Sequence, residues 1–185
     1  MDNGASSYRR FLAGDDDSIA EIVVTYKDGL ILYLNGYVRN ISVAEDLTED
    51  TFFRLITKKP KYSGKSSFKS WLYAIGRNVA VDYIRHNSKS IIIPIEDAEN
   101  YQTDEHTLEQ SYIKEESKLF INNALYKLNP EYRQVLWLVY FEKFSNKEAG
   151  LILKKSDRQM KNLLYRAKIT LKEELKKEGF EYENF

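Results

Sequence analysis

The sequence contains no cysteine, only two histidines, and no apolar run long enough to cross a bilayer. The missing cysteines exclude disulfides, thiolate metal sites and cysteine nucleophiles. No apolar stretch precedes a cleavage-like site near the N-terminus, so we expect a soluble, intracellular protein. With 185 residues and 43% hydrophobic content, the chain can bury a core in one domain or in two small ones.

The net charge is zero, because 28 basic residues balance 28 acidic ones. The charges are nevertheless segregated along the chain. Residues 58–90 carry 8 basic and 1 acidic side chains, residues 91–118 carry 2 and 8, and residues 154–177 carry 9 and 3. Two basic segments separated by an acidic one indicate two anion-binding surfaces on two separate modules.

The segment FKSWLYAIGRNVAVDYIRH, residues 68–86, predicts an amphipathic helix. Its apolar arc consists of Phe68, Leu72, Ile75, Val79 and Tyr83. A neighbouring stripe consists of Trp71, Asn78, Asp82, Arg85 and Lys89. Such a stripe could stack on a base, bond a base edge and contact phosphate. The alternative is a surface helix whose tryptophan belongs to the core, and the spacing alone does not choose between them.

The preceding segment, SVAEDLTEDTFFRLITKK, predicts a helix opened by Ser42 and Glu45 at capping-box spacing. We expect its apolar members to face inward: Val43, Leu47, Phe52, Leu55 and Ile56. Its early turns carry the acids Glu45, Asp46, Glu49 and Asp50. These carboxylates could stabilise the helix by interacting with its dipole. Alternatively, they could form a docking surface for a basic partner. A two-metal nuclease site is disfavoured, because the acids lie along one helix with no histidine nearby.

The remaining N-terminal elements are less distinct. Residues 1–15 predict a frayed start, and Ser18 with Glu21 predicts the cap of a first core helix, interrupted or bent near Gly29. In the loop KKPKYSGKSS, Pro60 should end the preceding helix and Ser66 or Ser67 should cap the next. Its four lysines around one tyrosine suit either a solvated turn or a cationic binding loop.

The second half predicts a helix-turn-helix. Residues 91–94 form an apolar clip, residues 94–112 an acidic, extended linker in which His106 has no ligand set, and helical order returns near residue 113. Caps are predicted at Asn129–Pro130, at Ser145 with Glu148, and at Ser156 with Gln159. A short helix, a tight turn and a long basic helix then follow in the order of that motif.

Three blocks of the sequence resemble, in order, parts of bacterial sigma factors of the extracytoplasmic-function (ECF) group. AEDLTEDTFFRL resembles the segment that binds core RNA polymerase, and FxxWLYxIxRNxxxDYIR resembles the promoter-reading helix. LxKLNPEYRQVLWLVYFEKFSNKEAGLIL followed by SDRQMKNLLYRAKITLKEEL is similar to the second DNA-reading domain. The resemblance covers about residues 16–90 and 113–177.

The resemblance implies an all-α fold of two small helical domains. Residues 1–93 would form a region 2-like domain, 94–112 a flexible acidic linker, 113–177 a region 4-like helix-turn-helix domain, and 178–185 an acidic tail. The implied function is transcription initiation, in which the chain directs core RNA polymerase to promoters and aids strand opening. The chain would have no catalytic residue, cofactor, metal or small-molecule substrate of its own.

The resemblance also assigns roles to residues. Core polymerase would bind Asp46, Leu47, Glu49, Asp50 and Phe52. The −10 element would meet Tyr62, Lys65, Phe68, Lys69, Trp71, Asn78 and Arg85. The −35 element would meet Arg158, Gln159, Lys161, Asn162, Tyr165 and Arg166. An anti-sigma factor is implied as an inhibitory partner, and it could hold the otherwise cytoplasmic chain at the membrane.

The last block departs from the family pattern at Ala149, Gly150, Lys154 and Leu163, which leaves fewer basic side chains to face the −35 groove. Two alternatives therefore stay open. One is a stand-alone helix-turn-helix regulator, which would need its own dimer interface. The other is a sigma-derived interaction protein that no longer initiates transcription.

Overall fold

The computed structural model of the protein describes residues 3–90 and 116–177, and every regular element within these ranges is helical. The first domain contains α1 (Asn3–Leu12), α2 (Ser18–Val38), α3 (Ile41–Lys58) and α4 (Phe68–Ser90). The second contains α5 (Glu116–Lys127), α6 (Pro130–Leu136), a π-helical turn (Trp137–Phe141), α7 (Asn146–Leu153) and α8 (Asp157–Lys177). The predicted apolar clip, the acidic linker with His106 and the acidic tail lie outside the described residues.

The all-helical, two-domain fold is therefore confirmed. Within the described ranges, no helix is both long and apolar enough to cross a membrane.

The N-terminal segment is a helix, so the expectation of a frayed start was wrong. Tyr8 and Phe11 on α1 are buried, and the Tyr8 ring lies 5.5 Å from that of Phe68 between centroids. The Tyr8 hydroxyl donates a hydrogen bond of 2.8 Å to the Pro60 carbonyl, and burial raises the pKa of this hydroxyl to about 12. Two aromatic residues one turn apart among glycine and serine gave too little periodicity to indicate this helix.

The helix α2 runs unbroken through Gly29, so the predicted interruption is also wrong. This glycine instead permits close packing, because a Cβ there would lie 2.5 Å from the Tyr73 hydroxyl oxygen. Ser18 does not cap α2 with Glu21. Its hydroxyl donates to the Asp15 carbonyl at 2.6 Å, and the Glu21 carboxylate accepts from Ser7 at 2.6 Å.

The helix α3 begins two residues earlier than the Ser42 spacing predicted. Its N-cap is Asn40, whose side-chain oxygen accepts a hydrogen bond of 3.0 Å from the Val43 amide. Leu47 and Leu55 face the core as expected, whereas Ile56 is exposed. An apolar pattern as broad as that of α3 cannot fix which of its edge residues remains in solvent.

The local signals of the second domain predicted the starts of α6, α7 and α8 correctly. The side-chain oxygen of Asn129 accepts from the Tyr132 amide at 2.9 Å. Ser145 and Glu148 form a complete capping box, and Ser156 exchanges hydrogen bonds with Gln159. The turn between α7 and α8 places Lys154 at φ 57°, which is left-handed backbone. The predicted helix-turn-helix is confirmed.

The two domains pack directly against each other, although the charge pattern had suggested separate modules. The helix α4 lies against α7, and α2 lies against α6. One hydrophobic cluster extends through both domains, from Leu72 on α4 to Phe144 and Ile152 beside and within α7. The charge distribution describes surfaces and carries no information about whether two domains touch.

Candidate nucleic-acid and polymerase interfaces

The second helix of the helix-turn-helix, α8, divides cleanly into a packed face and an open face. Its packed face consists of Met160, Leu163, Leu164 and Ala167, all buried. Its open face consists of Arg158, Gln159, Lys161, Asn162, Tyr165, Arg166 and Lys168, all exposed. The side-chain oxygen of Gln159 is held by the Ser156 amide at 2.9 Å, which fixes that side chain at the helix start. All six residues predicted for the −35 element therefore lie on one accessible surface, next to the turn.

The cationic end of α4 is also open to solvent. The side chain of Arg85 is 66% exposed, and its guanidinium lies 3.7 Å from the Asp82 carboxylate. Asp82 also lies 3.9 Å from Arg54 of α3, so one carboxylate stands between two arginines. Exposed pairs at these distances contribute less than about 1 kcal/mol, so Arg85 can leave Asp82 at little cost. Asn78 is half-buried on the same helix.

Trp71 belongs to an aromatic cluster, and this partly supports the core alternative for its role. Its ring lies 5.3 Å from that of Tyr8, 5.2 Å from Tyr62 and 5.4 Å from Phe68, measured between centroids. Phe68 is completely buried beneath the cluster, so it supports the surface and cannot itself stack on a base. Trp71 and Tyr62 are half-buried, and each keeps part of its ring accessible.

The loop before α4 and the first turn of that helix have two different environments. Lys65 is exposed, and the Tyr62 hydroxyl bonds to the Ser66 carbonyl and so closes the loop. Ser67 caps α4 by accepting from the Ser70 amide at 3.3 Å, as one of the two predicted alternatives. Lys69, in contrast, faces the second domain, and its ammonium lies 2.7 Å from the Glu142 carboxylate.

The acidic surface of α3 keeps three of its five predicted residues accessible. Asp46, Glu49 and Asp50 are exposed along one side of the helix. Leu47 and Phe52 are only 3% and 5% exposed, so they belong to the core and their assignment as contact residues is corrected. Phe53 is 64% exposed beside the acids. The apolar pattern of α3 predicted that Phe52 faces inward, and its burial confirms that prediction against the contact role that the resemblance assigned.

Within residues 3–90 and 116–177, no three histidine, aspartate or glutamate side chains are grouped closely enough to hold a metal ion.

Several interdomain residues escaped the sequence reasoning. The Glu142 side chain is 11% exposed and accepts a hydrogen bond of 2.7 Å from the Tyr73 hydroxyl. Burial, reinforced by this carboxylate, raises the pKa of Tyr73 well above its usual range, so the hydroxyl remains a donor. Glu148 accepts from Ser67 at 2.8 Å and from Ser70 at 3.2 Å. Of these interactions, only the capping of α7 by Glu148 was indicated by a local sequence pattern.

Two family models match the chain in sequence order. Sigma-70 region 2 matches residues 22–90, and Sigma-70 region 4 matches residues 121–171. The first match contains α3, α4 and most of α2, and the second contains α7 and most of α8. The two matched segments therefore include all three candidate surfaces.

Curated relatives match along most of their own length. The ECF RNA polymerase sigma factor SigM of Bacillus subtilis is 28% identical over 155 residues, covering 84% of this chain and 93% of the relative. The ECF RNA polymerase sigma factor SigW of the same organism is 28% identical over 174 residues, covering 88% of this chain and 91% of the relative.

Two solved structures share the fold at low sequence identity. The sigma factor RpoE in complex with the anti-sigma factor NepR, from Bartonella quintana, has a TM-score of 0.62 at 21% identity, covering 85% of this chain and 96% of that one. The structure of CnrH in complex with the cytosolic domain of CnrY has a TM-score of 0.64 at 19% identity, covering 94% and 95%.

Proposed function

Because this chain belongs to the extracytoplasmic-function group of RNA polymerase sigma factors and acts in transcription initiation, we propose that three surfaces divide that work among them. In this proposal α3 binds core RNA polymerase, α4 with the loop before it reads and opens the −10 element, and α8 reads the −35 element. The chain contributes promoter choice and strand separation, and the polymerase supplies all of the chemistry.

The observation that carries the proposal is the division of α8 into a packed and an open face. In a helix-turn-helix the second helix enters the major groove, and residues of its N-terminal half reach base edges. Arg158, Lys161 and Asn162 are exposed in that half, and Lys and Arg bond guanine while Asn bonds adenine. We assign Arg166 and Lys168, one to two turns further on, to phosphate.

For the −10 element we propose Arg85 and Asn78 as the polar contacts, with Trp71 and Tyr62 at the edge of the aromatic cluster. A base flipped from the duplex needs a stacking partner, because flipping costs a few kcal/mol. The accessible parts of the two half-buried rings suit that role, and Phe68 holds them from below. Lys65 and Lys69 would contact the backbone of the same strand.

For core polymerase we propose a mixed acidic and apolar surface made of Asp46, Glu49, Asp50 and Phe53. An exposed aromatic ring among carboxylates is a suitable interface centre, since aromatic anchors supply binding energy and charges supply orientation. Leu47 and Phe52 support this surface from the core.

The proposed domains are residues 1–93 and 113–177, with residues 94–112 as the acidic linker and 178–185 as the tail. We also propose that an anti-sigma factor inhibits the chain, as the resemblance implies and as the RpoE complex illustrates for that protein. If so, the partner must cover at least one of the three surfaces, and a membrane-bound partner would hold the chain at the membrane.

Run-off transcription tests the proposal. Core RNA polymerase is incubated with genomic fragments in the presence or absence of the chain, and transcript starts are mapped. We expect defined starts that depend on the chain, preceded by shared −10 and −35 sequences. An Asp50→Lys/Phe53→Ala variant should lose binding to core polymerase, whereas Lys176→Ala on the far end of α8 should not. Absence of any chain-dependent transcript would favour a sigma-derived protein that no longer initiates.

A further inference from the structure

The second half of α8 carries an exposed stripe in which apolar and cationic side chains are mixed. At about 100° per residue, five side chains share one arc of the helix surface, and all five are exposed. They are Tyr165, Lys168, Ile169, Lys172 and Lys176, and they are called the C-terminal stripe below. Its two apolar members, Tyr165 and Ile169, are 67% and 42% exposed.

The π-helical turn adds another exposed ring beside this stripe. The Lys168 ammonium lies 5.4 Å from the centroid of the Tyr140 ring, and Tyr140 is 42% exposed. Contacts to DNA phosphate use cationic and hydrogen-bonding groups, so promoter DNA accounts for the lysines but not for Ile169 and Tyr140. Exposed apolar groups gathered in one place mark an interaction site.

The chemistry of the stripe calls for a ligand with both carboxylates and apolar rings. Glu173 and Glu174, the acids in this half of α8, lie outside the arc, and Glu174 pairs with Lys177 at 2.6 Å. The acidic tail of the same chain, EGFEYENF at residues 178–185, has the matching composition. It carries three glutamates, three aromatic residues and no cation.

The tail is also attached at the right place and has the right length. Gly179 follows the end of α8 by two residues, and helices commonly end at a glycine where the chain changes direction. From there, residues 180–185 span about 20 Å when extended. The helix rises by about 18 Å between Tyr165 and Lys177, and by about 24 Å between Lys161 and Lys177. A tail that turned back would therefore reach the whole stripe but not Lys161.

We propose that the C-terminal stripe is the docking surface for residues 180–185 of the same chain. The rings of the tail pack on Ile169 and Tyr165, and its carboxylates pair with the stripe lysines. A segment on a short linker has an effective concentration in the millimolar range, so even a weak contact of this kind is populated.

The docked tail competes with DNA phosphate and leaves the base-reading half of α8 open. This consequence rests on the proposed function, because it takes Lys168 as a phosphate contact. Carboxylates and phosphates are both anionic acceptors, so Lys168 cannot pair with the tail and with DNA together. The tail therefore lowers the affinity for every DNA sequence by the same factor.

One pair of variants separates the tail charges from the net charge of the chain. Glu181→Gln/Glu183→Gln removes two carboxylates from the tail. Its matched control, Asp16→Asn/Asp28→Asn, removes two exposed carboxylates from the first domain. Both variants change the net charge equally, so the long-range attraction of the chain to DNA changes equally.

A second variant acts from the surface of α8 and leaves every charge and every lysine in place. Ile169→Ser removes the apolar centre of the stripe, and the exposure of Ile169 makes the substitution tolerable for the fold. Its control is Val24→Ser on α2, where an apolar side chain that is 83% exposed is lost far from the stripe in the sequence.

Docking is measured on the full chain without DNA. The chain has no cysteine, so a spin label at Asn184→Cys is the only one it carries. We expect this label to broaden the amide NMR signals of Tyr165 to Lys172, and Ile169→Ser and Glu181→Gln/Glu183→Gln to restore them, unlike the two controls. Broadening confined to the last turn of α8, or centred on another surface, would overturn the proposal. Equal broadening of an unlabelled chain mixed with the labelled one would assign the tail to a second copy and overturn docking within one chain.

Competition with DNA is measured by titrating two duplexes of unrelated sequence with the full chain over a series of salt concentrations. We expect Ile169→Ser and Glu181→Gln/Glu183→Gln to bind both duplexes about threefold to tenfold more tightly than their controls at low salt. The slope of log affinity against log salt should steepen by about 2, because about two more cations reach phosphate.

The outcomes separate docking, competition and the proposed function. Variants that release the tail but bind DNA no better would overturn the competition, as would a gain limited to one of the two sequences. Failure of the proposed function would look different, because the chain would then start no promoter-specific transcript even where the NMR signals report a docked tail.

Discussion

At the residue scale, the same side chain can support the fold and carry function, and Trp71 is the clearest case. Its ring contacts Tyr8, Tyr62 and Phe68, yet part of it remains accessible. Helix phase placed it beside the apolar arc, and the structure assigns it to the edge of the core. The sequence could not reveal this, because Tyr8 belongs to a helix that had no periodic signal.

Replacing Trp71 should therefore affect stability as well as promoter opening. We expect Trp71→Ala to lower the free energy of unfolding by about 2–3 kcal/mol, since it leaves a cavity beside the three rings that Trp71 contacts. Trp71→Phe should lose much less. Urea unfolding measures both, with Arg85→Ala as a control that changes the exposed end of α4. An unchanged unfolding free energy in Trp71→Ala would contradict the packing role.

The ionisation of Glu148 makes a second prediction at this scale. Because its pKa is lowered in the folded chain, its contribution to stability is complete above its ordinary pKa of 4.5 and is lost as the pH falls through the lowered value. We expect the unfolding free energy of the unaltered chain to fall more steeply below pH 4.5 than that of Glu148→Gln. Parallel pH profiles for the two proteins would contradict this assignment.

At the scale of single elements, local chemistry predicted the second domain well and the first less well. Asn129 was recognisable as a cap from the proline that follows it, and Ser145 and Ser156 from partners three residues away. The same spacing was misleading in the first domain, at Ser18 with Glu21 and at Ser42 with Glu45. The contact between Tyr73 and Glu142 joins residues 69 positions apart, and nothing in either neighbourhood indicates it. Domain packing of this kind depends on the match between distant surfaces, which one sequence does not specify locally.

The turn of the helix-turn-helix carries a backbone strain that can be tested. Lys154 has φ 57°, a conformation that costs a residue with a Cβ about 1 kcal/mol or more and glycine almost nothing. We expect Lys154→Gly to raise the unfolding free energy by about 0.5–1 kcal/mol. Lys147→Gly, within α7, should lower it by about as much. Thermal or urea unfolding measures both variants. A lower unfolding free energy in both of them would contradict the account.

The open face of α8 makes a functional prediction. Lys161→Ala should reduce transcription from promoters that depend on a −35 element more than from promoters recognised mainly at −10. Lys176→Ala removes the same charge from the same helix, 15 residues further on, and should have little effect on either class. Equal losses on both classes with Lys161→Ala would refute its assignment to the −35 element.

At the scale of the whole molecule, the charge pattern explains why DNA binding should depend on core polymerase. Each domain offers only a few cations to DNA, so the binding that each supplies is weak and salt-dependent. Core polymerase would hold both surfaces near one promoter and so raise their effective concentration.

The most direct test compares the affinity of one mapped promoter duplex for the chain alone and for the chain with core polymerase, at physiological salt. The account predicts weak, salt-sensitive binding by the chain alone and tight, sequence-specific binding once core polymerase is present. Nanomolar, sequence-specific binding of that duplex by the chain alone would contradict it.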